Sequence, residues 1–162
     1  MQLFYKCNKI LIILKYYCNI KEVTMNLENL YNLAEKEKIK IYDWHIENAN
    51  GAFINIDKIN IIALNYNELG TYIDEKETLA EELGHYYYDA TYPLYCEDKQ
   101  LIAKQEYRAN KWKCTTLVTK EALRKAKERG LDTFYEIAEE LCVREETVEY
   151  AYNYYKDNQC LI

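Results

Sequence analysis

Five consecutive residues, Glu81-Glu82-Leu83-Gly84-His85, have the spacing of a metal site on a helix. Positions 81 and 85 lie one turn apart and about 40° from each other around the helix axis, so both side chains can reach one ion. Glu82 is rotated by about 100° from Glu81, which places its carboxylate beside the ion as a general base. This is the arrangement of the His-Glu-x-x-His motif of zinc peptidases, with Glu81 in place of the first histidine.

A complete site also needs a third ligand, and Glu106 on the following predicted helix is our candidate. Two carboxylates and one imidazole neutralise a divalent ion, whereas two imidazoles and one carboxylate leave it positive. We therefore expect Glu81, His85 and Glu106 to bind zinc more weakly than an ordinary zinc peptidase does. Manganese and iron, which favour oxygen ligands more strongly, are the alternative ions.

Two other interpretations of the Glu82–His85 region have to be weighed. The simplest is an acidic, solvated helix face that carries a surface histidine. A di-iron helical bundle also uses a Glu-x-x-His pair, but it needs two of them. The only other histidine, His45, has Tyr42 three residues before it, so the di-iron interpretation fails.

Hydrophobic periodicity and turn residues indicate the elements that position these side chains. Asp74 is the expected N-cap of the motif helix, which should end near Asp89, and Asp57-Lys58 is the expected turn of a hairpin. The fold class is therefore α+β, with a small three-stranded sheet packed on the active-site helix and a helical C-terminal third. The predicted helices are 26–37, 74–89, 99–118, 119–129, 133–141 and 145–158, and the predicted strands are 39–44, 52–56 and 58–65.

Composition limits the possible functions. The chain of 162 residues is 49% hydrophobic and 30% charged, which fits one folded domain. Its net charge of −6 argues against nucleic acid as the main partner. The six cysteines form no Cys-x-x-Cys pair and there is no secretion signal, which indicates reduced thiols in a cytoplasm. The apolar run at 10–14 is too short to span a membrane, which takes about 20 residues.

The N-terminal segment differs from the rest. Codons for Lys21-Glu22-Val23, just before Met25, can read as a ribosome-binding site. We therefore expect residues 1–24 to be an upstream extension from a mis-assigned start. Residues 25–162 then form a single metallopeptidase-like domain, in which 119–162 are the helical C-terminal part.

The C-terminal helices superficially have the pattern of a helix-turn-helix motif, with a turn at Cys142-Val143. A recognition helix presents basic side chains to DNA, but residues 132–157 contain eight acidic residues and only Arg144 and Lys156 as basic ones. This composition favours a helical pair that packs on the rest of the domain or binds a protein partner.

Beyond the short motif, the sequence resembles the ImmA/IrrE family of metallopeptidases of phages and bacterial mobile elements. Residues 79–87, LAEELGHYY, resemble its active-site helix. Residues 104–118, KQEYRANKWKCTTLV, resemble its second signature: a Glu, then Ala-Asn, an aromatic residue and a Leu-Val ending. The likeness covers residues 25–158 and departs from the family pattern at Glu81.

The resemblance implies a zincin-like fold and a cytoplasmic endopeptidase that cleaves a transcriptional repressor. His85 and Glu106 match metal ligands, Glu82 matches the general base, and Glu81 stands at the first metal histidine. The substrate is expected to lie along a sheet edge, at 52–56 or 58–62. His45 or a tyrosine among 86–88 is the expected oxyanion helper. The rival hypothesis is a non-catalytic protein that binds a repressor or toxin; a purely structural helical domain is a third.

Overall fold

The computed structural model describes residues 24–90 and 97–158, and in these ranges the fold is α+β with three strands and six helices. The predicted fold class is confirmed at this level. The expected upstream extension lies outside the described residues except for Thr24. The elements are α1 (Leu27–Lys36), β1 (Lys40–Asp43), β2 (Gly51–Ile56), β3 (Ile59–Leu64), α2 (Tyr72–Tyr87), α3 (Lys99–Leu117), α4 (Lys120–Glu128), α5 (Phe134–Leu141) and α6 (Glu145–Asp157).

The sheet has the order β1-β3-β2, which places β2 at an edge. β2 and β3 form the predicted antiparallel hairpin, and its turn residues Asp57 and Lys58 both have positive φ, 50° and 67°. Two such residues in succession make a turn whose twist matches that of the strands. β1 pairs with β3 in parallel, from Lys40 opposite Ile61 to Asp43 opposite Leu64.

The motif helix α2 begins earlier than predicted. Its N-cap is Thr71, whose hydroxyl oxygen accepts a hydrogen bond from the Asp74 backbone N–H at 3.1 Å. The prediction of Asp74 as N-cap was wrong because Asp74 is the third helical residue. Its carboxylate instead accepts a hydrogen bond from the Thr71 hydroxyl at 2.8 Å. This second hydrogen bond between the same two residues stabilises the first turn of the helix.

Helix α2 lies at the centre of the molecule, in contact with α1, α3 and the strands β2 and β3. Leu79 and Leu83 are completely buried in a core that also includes Ile62 and Leu64 of β3. A Cβ on Gly84 would lie only 2.6 Å from the carbonyl oxygen of Ala109. The backbones of α2 and α3 therefore approach closely, and this brings the second signature beside the motif.

The C-terminal third consists of α4, α5 and α6, close to the predicted bounds. α5 is followed by its C-cap, Cys142, whose left-handed backbone (φ 51°) turns the chain toward α6. Val148 and Ala151 of α6 are fully buried in the same core as α2. No helix within residues 24–90 or 97–158 is long and apolar enough to cross a membrane.

Candidate active site

A cleft of about 1670 Å³ lies between the edge strand β2 and helix α2. Its lining includes all four residues that the sequence indicated, Glu81, Glu82, His85 and Glu106, together with every residue of β2. The loop at 44–50 lines it as well. The structure thus brings the motif and the second signature to one cavity beside the edge strand β2.

His85 is buried and its ring is held in one orientation. Nδ1 lies 2.7 Å from the carbonyl oxygen of Ala90, and because a carbonyl only accepts, Nδ1 must carry the hydrogen. In the neutral ring the lone pair is therefore on Nε2, which lies 3.8 Å from Oε2 of Glu106. Metal-binding histidines usually donate their second ring N–H to a carbonyl or carboxylate in this way.

Glu81 has a different partner. Its Oε2 lies 2.7 Å from Nζ of Lys113, a buried lysine on α3. Lys113 follows Glu106 by seven residues, or about two helical turns, so both side chains leave the same face of α3. The ion pair of Glu81 with Lys113 and the pair of His85 with Glu106 therefore lie along one helix interface.

Glu82 is buried against the edge strand. Its carboxylate accepts a hydrogen bond from the backbone N–H of Phe53. Burial, with the negative charges of Glu81 and Glu106, raises the pKa of Glu82 to about 8, although the Phe53 N–H and Lys113 act in the opposite direction. The carboxyl thus lies where β2 faces α2.

Of the candidate oxyanion helpers, His45 and Tyr86 line the cleft. The Tyr86 hydroxyl donates to Glu37 at 3.0 Å. Tyr87 is stacked on Trp112, with ring centroids 5.1 Å apart, and so serves packing between α2 and α3. Tyr88 lies under cationic groups of α3. His45 and Tyr86 are therefore the candidates that the structure places at the cleft.

His85 and Glu106 fit a divalent ion: the histidine tautomer is fixed, its lone pair faces a carboxylate, and both groups line the cleft. Oε2 of Glu81 is instead paired with Lys113. Among residues 24–90 and 97–158, accordingly, no three His, Cys, Asp or Glu side chains are grouped so as to hold a metal ion. The role of Glu81 as a ligand stays a prediction.

Three groups that shape the site were not predicted from the sequence: the Lys113 ammonium, the Phe53 N–H and the Ala90 carbonyl. The two backbone groups leave no mark in the sequence. Lys113 left one signal, its position two helical turns after Glu106 on the predicted helix. That spacing shows a shared face, but not that the lysine reaches a carboxylate 32 residues away.

Comparison with protein-family models, with curated proteins and with solved structures gave no match for this chain.

Proposed function

We propose that this chain is a metal-dependent endopeptidase with a zincin-like fold. The observation that supports it best is the convergence of Glu82, His85 and Glu106 in one cleft bordered by the edge strand β2. His85 and Glu106 are the proposed metal ligands, with zinc as the first candidate and manganese or iron as alternatives. Glu81 is the proposed third ligand.

A divalent ion at these residues would polarise the scissile carbonyl and make a nearby water more acidic. The positive charge of such an ion would favour the ionised form of Glu82, which would then take a proton from the attacking water and pass it to the leaving nitrogen. The Ala90 carbonyl keeps the Nε2 lone pair of His85 directed into the cleft. His45, on the loop that lines the cleft, stabilises negative charge on the carbonyl oxygen of the substrate.

The substrate is proposed to bind as an added strand along β2. An edge strand can pair with an extended peptide through its outward backbone N–H and C=O groups. The Phe53 N–H of β2 is bonded to Glu82, so a peptide added at this edge would lie beside the proposed base. By the resemblance stated above, the substrate is a repressor of a phage or mobile element in the cytoplasm. The acidic C-terminal helices are proposed to bind a protein and not DNA.

A second function is supported by the ion pair of Glu81 with Lys113. If Lys113 permanently supplies the positive charge at this site, no divalent ion binds and no peptide bond is cut. The cleft would then serve only to bind a repressor or toxin. Glu82→Gln separates the two functions, because it removes the base and keeps the shape of the side chain.

The test uses the full chain, purified without chelator, and the product of any repressor-like gene found next to its own. A metallopeptidase should contain about one ion per chain, lose it in His85→Ala, and cleave the repressor. Glu82→Gln should lower cleavage by roughly 10²- to 10⁴-fold while binding is retained. A metal-free wild type that stays metal-free in zinc and manganese, and binds the repressor intact, would instead establish the second function.

A further inference from the structure

We propose that Lys113 competes with the divalent ion for Glu81, and so sets the metal affinity of the site. The inference rests on the proposed metal-dependent function and concerns the regulation of the same site. Its starting point is the 2.7 Å contact between Nζ of Lys113 and Oε2 of Glu81.

The contact is partly shielded from water. The Lys113 side chain is 11% exposed and that of Glu81 is 32% exposed, which strengthens their attraction relative to a surface pair. Lys113 and Glu106 leave one face of α3, and Glu81 and His85 leave one face of α2. The Lys113 ammonium group therefore lies next to the proposed metal position, 2.7 Å from an oxygen of one proposed ligand.

The three carboxyl groups in the cleft explain why a positive charge is needed beside them. Glu81, Glu82 and Glu106 line one cleft, and the charges of Glu81, Glu106 and Lys113 all act on Glu82. Carboxylates that are partly removed from water repel one another unless a positive charge lies among them. In the metal-free protein Lys113 supplies that charge.

A divalent ion held by His85, Glu106 and Glu81 would supply two positive charges to the same carboxylates. Oε2 of Glu81 is held by Lys113, so the ammonium group would either share this carboxylate with the ion or lose it, and in both cases its positive charge would repel the ion. Lys113 therefore stabilises the metal-free protein and weakens metal binding. Without it, the metal-free protein should be less stable and the metal-bound protein more strongly favoured.

The experiment measures zinc and manganese affinity of the full chain, stripped of metal, by competition with a chromogenic chelator. Lys113→Met removes the charge and keeps an apolar side chain of similar length. Lys113→Arg keeps the charge. Lys104→Met is the matched control, because this exposed residue is nine positions away on α3, about 180° around the helix from Lys113. Circular dichroism checks that each variant is folded.

We expect Lys113→Met to bind the ions at least tenfold more tightly than the wild type, while Lys113→Arg and Lys104→Met remain near wild type. Adding His85→Ala to Lys113→Met should abolish the gain. Without metal, Lys113→Met should melt at a lower temperature than Lys104→Met, and saturating zinc should raise its melting temperature by more than that of the wild type.

Failure of this inference is distinguishable from failure of the proposed function. If the wild type binds metal and Lys113→Met binds it no more tightly, the inference is overturned and the metal-dependent function stands. If neither binds metal, both are overturned. If only Lys113→Met binds metal, the inference is supported, and the wild type acts through binding alone.

Discussion

Lys76 and Glu77 are neighbours on α2, and their side chains hold the facing ends of two different helices. Nζ of Lys76 donates to the carbonyl of Leu141, the last residue of α5, at 2.8 Å. The Glu77 carboxylate accepts from the backbone N–H of Arg144 at 2.7 Å and from the Thr147 hydroxyl at 2.8 Å, at the start of α6. Each charge has the sign that its helix end favours. The two residues thus fix the α5–α6 turn to the proposed active-site helix.

Glu77→Ala should destabilise the protein strongly. Glu77 is only 1% exposed, and its removal takes the acceptor from the Arg144 backbone N–H and from the buried Thr147 hydroxyl. We expect a loss of about 3–5 kcal/mol in the free energy of unfolding, measured in urea. Asp74→Asn is the control: Asp74 also pairs with Arg144 but is more exposed, so about 1 kcal/mol or less is expected. Equal losses in the two variants would contradict this account.

Lys76 should make stability depend on pH in the alkaline range. Burial lowers the pKa of Lys76 from its ordinary value of 10.5 to about 8. Between these values the unfolded chain binds the proton more often than the folded one, so this residue's contribution to stability increases as pH rises. The unfolding free energy of wild type minus that of Lys76→Met should grow by on the order of 2–3 kcal/mol from pH 8 to 10.5. A constant difference would show that the folded-state pKa is not lowered.

Gly84→Ala should separate α2 from α3. The new Cβ would lie 2.6 Å from the Ala109 carbonyl oxygen, which belongs to a helix backbone and cannot swing away. We expect a cost of about 1–3 kcal/mol from overpacking, although alanine favours helix formation more than glycine does. Metal affinity should fall as well, since His85 and Glu106 lie on these two helices. Gly70→Ala, where the nearest atom is 3.9 Å away, should leave both quantities close to wild type.

Asn65→Ala should loosen the loop that lines the cleft at 44–50. Asn65 is fully buried, and its side-chain amide donates to the carbonyls of Ile46 (3.1 Å) and Ala49 (3.4 Å). Losing these hydrogen bonds should cost about 1–3 kcal/mol and speed hydrogen exchange at the loop amides. In the control, Asn60→Ala, an exposed bond to Asn55 is lost instead, and loop exchange should not change. Unchanged exchange in Asn65→Ala would mean that other contacts hold the loop.

The helices and the hairpin were predictable because their signals are local. The Asp57-Lys58 turn is such a case, since it connects neighbouring strands. The parallel pairing of β1 with β3 was not predicted, because it joins residues as far apart in the chain as Lys40 and Ile61, with strand β2 between them. The N-cap error has a local cause: Thr71 and Asp74 both stand three residues before an acidic side chain, so the pattern fits either.

The side chains of the candidate site were predictable from the sequence, but the contacts between them were not. Helical spacing placed Glu82 and His85 on α2, and the second signature indicated Glu106. The partner of Glu81 was missed because an ion pair with Lys113 depends on how α2 and α3 approach. That approach is allowed by the absence of a side chain at Gly84, a property that no charge pattern reveals.

The start of β2 determines how deeply the Glu82 carboxyl can lie in the cleft. A Cβ on Gly51 would be 2.7 Å from Cγ2 of Thr78 and 3.0 Å from Oε1 of Glu82. There is therefore no room for a side chain at position 51 unless Thr78 and Glu82 move. A single methyl group there would push the carboxyl aside and leave its chemical identity unchanged. Gly51→Ala would thus shift the proposed base by a fraction of an ångström. It would show how strongly the activity of Glu82 depends on its position when its chemistry is unchanged.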